Sequence, residues 1–198
     1  MEETLGAVEL GNEEVGETRV LQPQLDPITD DVLNLKIQSL ANSVTLSQVD
    51  TVTVSGTTSE TDLVNVTIPG GTLGTTGVIG VHLAVTGFYT NNARTITLKL
   101  YYGSTVVVNA GALSLTGSGI SSQHFGTINA YITADASANA QNGVLLGLYS
   151  DGATGNPLQG GSGTATEDSS SSLTLRVTAT ISEAVSTIEM TVQGYVIY

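Results

Sequence analysis

Two stretches decide how this chain reads: Arg94-Thr-Ile-Thr-Leu-Lys-Leu-Tyr-Tyr102 and Ser172-Leu-Thr-Leu-Arg-Val-Thr-Ala-Thr-Ile181. In the first, Ile96, Leu98, Leu100 and Tyr102 fall on one face of an extended chain, while Thr95, Thr97, Lys99 and Tyr101 fall on the other. In the second, Leu173, Leu175, Val177, Ala179 and Ile181 form the inward set. Side chains alternate between the two faces of a β-strand, so such a pattern describes a strand with one dry and one wet face. Strands of that kind belong to antiparallel sheets, because the strands of parallel sheets are buried on both faces.

Working outward, alternation with period two recurs from about residue 49 to the end. It predicts strands over 49–54, 63–68, 78–88, 95–102, 105–108, 124–133, 144–149, 173–181 and 187–197. Turn residues separate them at Pro69-Gly70-Gly71, Asn91-Asn92, Asp151-Gly152 and Gly160-Gly161. Residues 150–172, with Gly160, Gly161, Gly163 and the serine run 169–172, read as one long loop. Eight or nine short strands over 150 residues predict an all-β fold. The expected architecture over 49–198 is an antiparallel two-sheet, jelly-roll-like sandwich.

Residues 1–48 read differently. Of the chain's 18 acids and 5 bases, the first 50 residues hold ten and two, so −8 of the net −13 lies there. An apolar residue followed by glycine recurs every five positions, at Leu5-Gly6, Leu10-Gly11 and Val15-Gly16, and Val20 keeps the interval. A period of five suits neither helix nor strand, and the glycines disfavour a helix. The expectation is an extended acidic arm over 1–48, with Leu5, Leu10, Val15 and Val20 as anchors against a partner or a neighbouring subunit. Within it, residues 30–44 admit two readings. Leu33, Ile37, Leu40 and Val44 are spaced for a short helix, whereas Leu33, Leu35 and Ile37 alternate as in a strand.

Composition removes several function classes. A net charge of −13 opposes a nucleic-acid backbone, whose binding needs lysine and arginine. The absence of cysteine removes disulfides and thiolate metal sites. No apolar run approaches the roughly 20 residues of a membrane-spanning helix. Met1-Glu2-Glu3 has neither the basic nor the apolar region of a signal peptide, so synthesis in a cytoplasm is expected. With 12% of residues charged, against about 25% in an average domain, the surface must draw its polarity from Thr, Ser, Asn and Gln.

Catalytic and cofactor chemistry finds no anchor, and none is predicted. His82 faces away from Ile79, Val81, Leu83 and Val85, and His124 opens a strand. No Gly-x-Ser-x-Gly elbow singles out a serine nucleophile. The oxygen-bearing stretches Asp151–Asn156 and Glu167-Asp168 lack the spacing of a calcium loop. The neighbouring acids Glu60 and Asp62 read as solvated turn residues rather than a glycosidase pair. Gly70–Gly74 and Gly160–Gly163 precede neither a helix nor Gly-Lys-Ser/Thr, so they are not phosphate loops. In a chain without tryptophan, a sugar-stacking platform would have to come from tyrosine. Tyr89, Tyr101, Tyr131, Tyr149 and Tyr195 are the candidates, at strand ends or on polar faces.

The stretch Ser59-Glu-Thr-Asp-Leu-Val-Asn-Val-Thr-Ile-Pro-Gly-Gly-Thr-Leu-Gly-Thr-Thr-Gly-Val-Ile-Gly-Val81 carries a resemblance, together with Gly87-Phe-Tyr-Thr-Asn-Asn-Ala-Arg-Thr-Ile-Thr-Leu-Lys-Leu-Tyr-Tyr-Gly103. Its strand ending in Ile-Pro, its Thr-Leu-Gly-x-x-Gly turn and its Asn-rich turn before Arg-Thr-Ile-Thr-Leu resemble a jelly-roll module of tailed-bacteriophage virion proteins. The resemblance implies a non-enzymatic virion component made in the host cytoplasm, commonly a homotrimer. It points first to a capsid decoration (cement) protein whose arm clamps the major capsid protein. The alternative it leaves open is a tail or head-fibre appendage that binds host-surface glycan.

Overall fold

The computed structural model describes residues 46–48, 51–89, 94–115, 123–150, 158–184 and 189–198. The predicted arm, its anchors Leu5, Leu10, Val15 and Val20, and the ambiguous segment 30–44 lie outside the described residues. Eleven strands account for most of the rest: β1 (Leu46–Gln48), β2 (Val52–Ser55), β3 (Thr61–Ile68), β4 (Val78–Tyr89), β5 (Arg94–Tyr102), β6 (Thr105–Leu115), β7 (Gln123–Ser137), β8 (Ala140–Ser150), β9 (Leu158–Ala165), β10 (Leu173–Ile181) and β11 (Glu189–Ile197).

They form two antiparallel sheets. One has the order β1-β11-β4-β7-β8-β9, with β2 also paired to β11; the other has the order β3-β10-β5-β6. Strands 2, 11, 4 and 7 are therefore neighbours in one layer, and strands 3, 10, 5 and 6 in the facing layer. The chain passes back and forth between layers, which is the jelly-roll winding. The β8–β9 hairpin is added outside it, on the free side of β7. Strand pairing begins upstream of residue 49, with Leu46 opposite Ile197 and Gln48 opposite Tyr195.

The two deciding stretches become β5 and β10, hydrogen-bonded neighbours in the smaller sheet, with Leu175 opposite Tyr102 and Ile181 opposite Ile96. Ile96, Leu98 and Leu100 are fully buried, as are Leu175, Val177, Ala179 and Ile181. Opposite them, Ile79, Val81, Leu83, Ile128, Ala130, Ile132 and Leu145 line the inner face of the larger sheet. Each such valine, leucine or isoleucine contributes about 1.5–3 kcal/mol by leaving water. Without disulfides, this interlayer burial carries the fold.

One segment departs from the sequence reading. Residues 150–172 are not a single loop, because Leu158–Ala165 forms β9 in full register with β8, from Leu148 opposite Leu158 to Gln141 opposite Ala165. The strand lacks β-branched residues inside because strand β6 of the other sheet passes directly beneath it. A Cβ on Gly163 would lie 2.0 Å from the Val107 carbonyl oxygen, and one on Gly161 would lie 3.0 Å from a Val108 methyl. Glycine is required there by close approach. Gln159 then ties the layers together: its Nε2 donates to the carbonyls of Ile96, at 3.0 Å, and Gly111, at 2.5 Å. Gly111 adopts φ +72° at a β-bulge of β6, which turns that carbonyl toward Gln159.

The opposite end of β9 is stapled by side chains. One oxygen of Glu167 accepts from the Ser104 amide (3.0 Å), the Ser104 hydroxyl (2.9 Å) and the Thr105 hydroxyl (2.7 Å). The Thr105 hydroxyl above all, with the Ser104 donors, holds its carboxyl below the usual glutamate range. Gln141 adds a reciprocal pair to the Glu167 backbone, donating to its carbonyl and accepting from its amide. The Ser169 hydroxyl donates to the Ala138 carbonyl.

Candidate functional site: the outer face of the larger sheet

The two outer faces differ in chemistry. On the smaller sheet, Lys99 pairs with Glu60 at 2.6 Å and Arg176 with Asp62 at 2.7 Å. Asn65 donates to Asp62, and Thr178 donates to Glu60. Burial raises the Glu60 carboxyl, but hydrogen bonds from Lys99, Tyr101 and Thr178 outweigh it, so the group sits below its ordinary value. Glu60 and Asp62 are thus not freely solvated turn residues, and each is neutralised by its own cation. A glycosidase pair needs one carboxyl kept protonated, and this arrangement favours the charged form of Glu60. The Arg176 guanidinium also lies 4.7 Å from the centre of the Tyr101 ring. That cation–π contact covers the ring and withdraws Tyr101 as a stacking surface.

Among the described residues, the central strands of the larger sheet present no such pairs. Register places the outward residues of β4, β7, β8 and β9 in four rows: Val78–Thr133–Asn142–Thr164, Gly80–Tyr131–Val144–Ser162, His82–Asn129–Leu146–Gly160 and Ala84–Thr127–Leu148–Leu158. Not one of these sixteen positions is Asp, Glu, Lys or Arg.

Toward β11 the face is aromatic and polar. Tyr198, just past the end of β11, exchanges two backbone hydrogen bonds with Gly80, 2.9 and 3.1 Å long. Its ring lies over that glycine: a Cβ on Gly80 would stand 2.6 Å from the ring carbon Cζ. The absence of a side chain at residue 80 is what makes this seat. The Tyr198 hydroxyl donates to the Tyr131 hydroxyl at 3.3 Å, and this bond raises the Tyr198 phenol above its ordinary value. One row along, His82 Nδ1 lies 2.8 Å from Asn129 Oδ1. An amide oxygen only accepts, so Nδ1 is the donor; a neutral ring then has Nε2 as an acceptor and Asn129 retains its Nδ2 donors. Two tyrosine rings beside two planar polar groups are what a sugar offers contacts to: C–H faces for the rings and hydroxyls for the rest.

Among the tyrosines singled out from sequence, Tyr131 is the one placed on this platform. Tyr149 is buried, and burial pushes its phenol up. Tyr195 packs against the core, and Tyr101 lies under Arg176. Tyr89 ends β4 and His124 lies near the start of β7, with their side chains outside those described. Tyr198 was missed because the sequence places it beyond a strand end; the signal was Gly80, a glycine among the outward positions of β4 with no turn to require it. Among the described residues no cluster of His, Asp or Glu is arranged to hold a metal ion.

Fold and face together define a jelly-roll sandwich protein whose larger sheet has an uncharged central outer surface, with Asp135 and Glu189 at its margins. No protein-family model matches the chain, and no curated protein does. Among solved structures, the CBM2 module of the evolved Dit of Lactobacillus casei BL23 phage J-1 is similar at 16% identity, covering 67% of this chain and 66% of that one, with a TM-score of 0.32. The metal-free form of lectin I-B4 from Griffonia simplicifolia is similar at 11% identity, covering 61% of this chain and 71% of that one, with a TM-score of 0.28.

Proposed function

We propose that this chain is a non-enzymatic structural component of a bacteriophage virion, an appendage that binds uncharged host-surface glycan through the outer face of its larger sheet. The virion assignment rests on the motif resemblance at residues 59–81 and 87–103. The binding assignment rests on one observation, the Tyr198 ring seated on Gly80 with its hydroxyl on Tyr131. An exposed aromatic ring held in place by backbone and hydroxyl bonds loses little freedom when a ligand stacks on it, which is the advantage of preorganisation.

Purified protein should bind host cells, or polysaccharide extracted from them, and Tyr198→Ala should weaken that binding about tenfold or more, as loss of a central aromatic anchor does. Tyr198 is 54% exposed, so the substitution should leave folding intact. Undiminished binding by a folded Tyr198→Ala variant would defeat the proposal. The decoration reading, in which Leu5, Leu10, Val15 and Val20 clamp the major capsid protein, rests on residues outside the described ones. Its own test is whether capsids stripped of the protein leak at lower temperature.

A further inference from the structure

The outer face of the larger sheet changes chemistry between β7 and β8. Along β7 the outward residues are Tyr131, Asn129 and Thr127; directly opposite them on β8 stand Val144, Leu146 and Leu148. Polar and aliphatic side chains are thus paired across one strand boundary over three successive rows. The aliphatic members are exposed, Leu146 by 38% and Leu148 by 45%. A contiguous aliphatic strip, unlike a scattered leucine, marks an interaction surface. Its polar border narrows what fits there.

The row through Asn129 is the most complete. From β4 to β9 it runs His82, Asn129, Leu146 and Gly160. His82 Nδ1 donates to Asn129 Oδ1 at 2.8 Å, so the pair presents the Nε2 acceptor of a neutral ring and the Nδ2 donors of the amide. Two neighbouring hydroxyls of a sugar match that set, one donating and the other accepting. Leu146 comes next, and Gly160 beyond it has no side chain with which to bond a polar group. A hydroxyl resting on Leu146 therefore gives up water for nothing, whereas a methyl group gains by the same burial. Neighbouring strands lie about 4.8 Å apart, close to the width of a pyranose ring, so one sugar spans Asn129 and Leu146.

Given the glycan-binding function proposed for this face, on which the step rests, we infer that the sugar is a 6-deoxyhexose, its hydroxyl edge on His82 and Asn129 and its C6 methyl on Leu146. An ordinary hexose carries a hydroxymethyl group where a 6-deoxy sugar carries a methyl, so only the latter has polar and apolar edges in the order of the row. An acetamido sugar also ends in a methyl. Its N–H and C=O point in opposite directions, however, and seating that methyl on Leu146 leaves one of the two over the aliphatic strip. The next row repeats the order, with Thr127 before Leu148 and Leu158, so the strip takes a second deoxy sugar of a polymer. Tyr198 and Tyr131 border the Asn129 row on its other side and supply the stacking contact.

Titration of the full chain with methyl glycosides, followed by NMR, tests this. Methyl α-L-rhamnoside is compared with methyl α-L-mannoside, and methyl α-L-fucoside with methyl α-L-galactoside; each pair differs by one hydroxyl at C6. In at least one pair the 6-deoxy member should bind about fourfold more tightly or better, the value of one buried methyl. Saturation transfer from the protein should be strongest at its C6 methyl. Leu146→Thr should bring that pair within about twofold of each other, whereas Tyr198→Ala should weaken both members alike. Far-UV circular dichroism confirms that the variants are folded, and Leu146→Ala serves if Leu146→Thr is not. Equal binding within both pairs overturns the inference, as does a preference that the Leu146 variant leaves intact, or tighter binding of methyl N-acetyl-β-D-glucosaminide than of either deoxy sugar. If host polysaccharide binds in a Tyr198-dependent way while neither deoxy glycoside binds, this inference falls and the glycan-binding function stands. Undiminished polysaccharide binding by a folded Tyr198→Ala variant removes that function itself.

Discussion

Two glycine-to-alanine substitutions separate the platform from the fold. At Gly80 the added Cβ would stand 2.6, 2.7 and 3.0 Å from Cζ, Cε2 and the hydroxyl oxygen of Tyr198. Carbon contacts settle at about 3.5–4.0 Å, so the ring must withdraw by about 1 Å. The Tyr198–Tyr131 hydrogen bond is already 3.3 Å long, and a withdrawal of that size breaks it. Only the far end of an exposed side chain has to move. The lost bond costs about 0.5–1 kcal/mol, and the alanine returns about 0.4–1 kcal/mol by restricting the unfolded chain. Stability should therefore change by less than about 0.5 kcal/mol. At Gly163 the added Cβ would lie 2.0 Å from a backbone oxygen, that of Val107, and two strands must part. Overpacking of that kind costs about 1–3 kcal/mol, or about 4–8 °C in Tm for a loss of 2 kcal/mol in a domain of this size. Thermal unfolding and binding to host polysaccharide should be measured on both variants. Gly80→Ala should keep its Tm and lose binding about tenfold, or about 1.4 kcal/mol; Gly163→Ala should lose Tm and keep binding. If Gly80→Ala keeps both, the seated ring is not the binding element.

Three further outcomes follow from the same geometry. Gln159→Leu leaves the carbonyls of Ile96 and Gly111 without their donor, and should cost about 1–3 kcal/mol as a lower urea midpoint at unchanged slope. Glu167 has a depressed pKa, so its contribution is fully present above the ordinary value of 4.5 and is lost as pH falls through the folded value. The gap in Tm between wild type and Glu167→Gln should accordingly be fully open at pH 7 and narrow as pH falls below 4.5, and a gap independent of pH would contradict the staple. Tyr198→Ala should weaken binding to host polysaccharide with Tm held, as Gly80→Ala does.

The fold was legible where the inner face is chemically distinct from the outer. In β5 and β10 apolar residues alternate with threonine and other polar residues, and burial follows the alternation except at Thr178, which is buried on the outward side, and Leu173, which is only partly covered. In β9 the pattern was equally regular but written in glycine: Gly161 and Gly163 point inward, Ser162 and Thr164 outward. Propensity reads such a segment as a loop, because what stabilises the strand is the closeness of β6, whose Val107 and Val108 lie more than 50 residues earlier in sequence. β6 was read as ending at Val108 for a related reason. Its bulge at Gly111 interrupts the alternation, although pairing with β5 continues to Leu115.

The platform was half legible for a reason that concerns charge as much as topology. A tyrosine in a strand declares its face by parity, so Tyr131 could be placed outward; nothing local says that Tyr198 will lie on Gly80, 118 positions earlier. The low content of charge, read from sequence as a general property, is in fact partitioned. Lys99 and Arg176 are both spent on the outer face of the smaller sheet, against Glu60 and Asp62. The central four rows of the opposite face are left with rings, amides, hydroxyls and aliphatic groups, the acids Asp135 and Glu189 standing at its margins. A surface of that composition cannot select an anionic or a cationic ligand by charge. What remains to it is shape, stacking and the exclusion of water, the terms on which the proposed contact of a neutral sugar with Tyr198 depends. Adding one lysine to this face, as in Asn142→Lys, should therefore leave glycan binding unchanged within about twofold while making it newly dependent on salt for acidic polysaccharides. A strong gain for the native host glycan would show instead that its ligand is an anion.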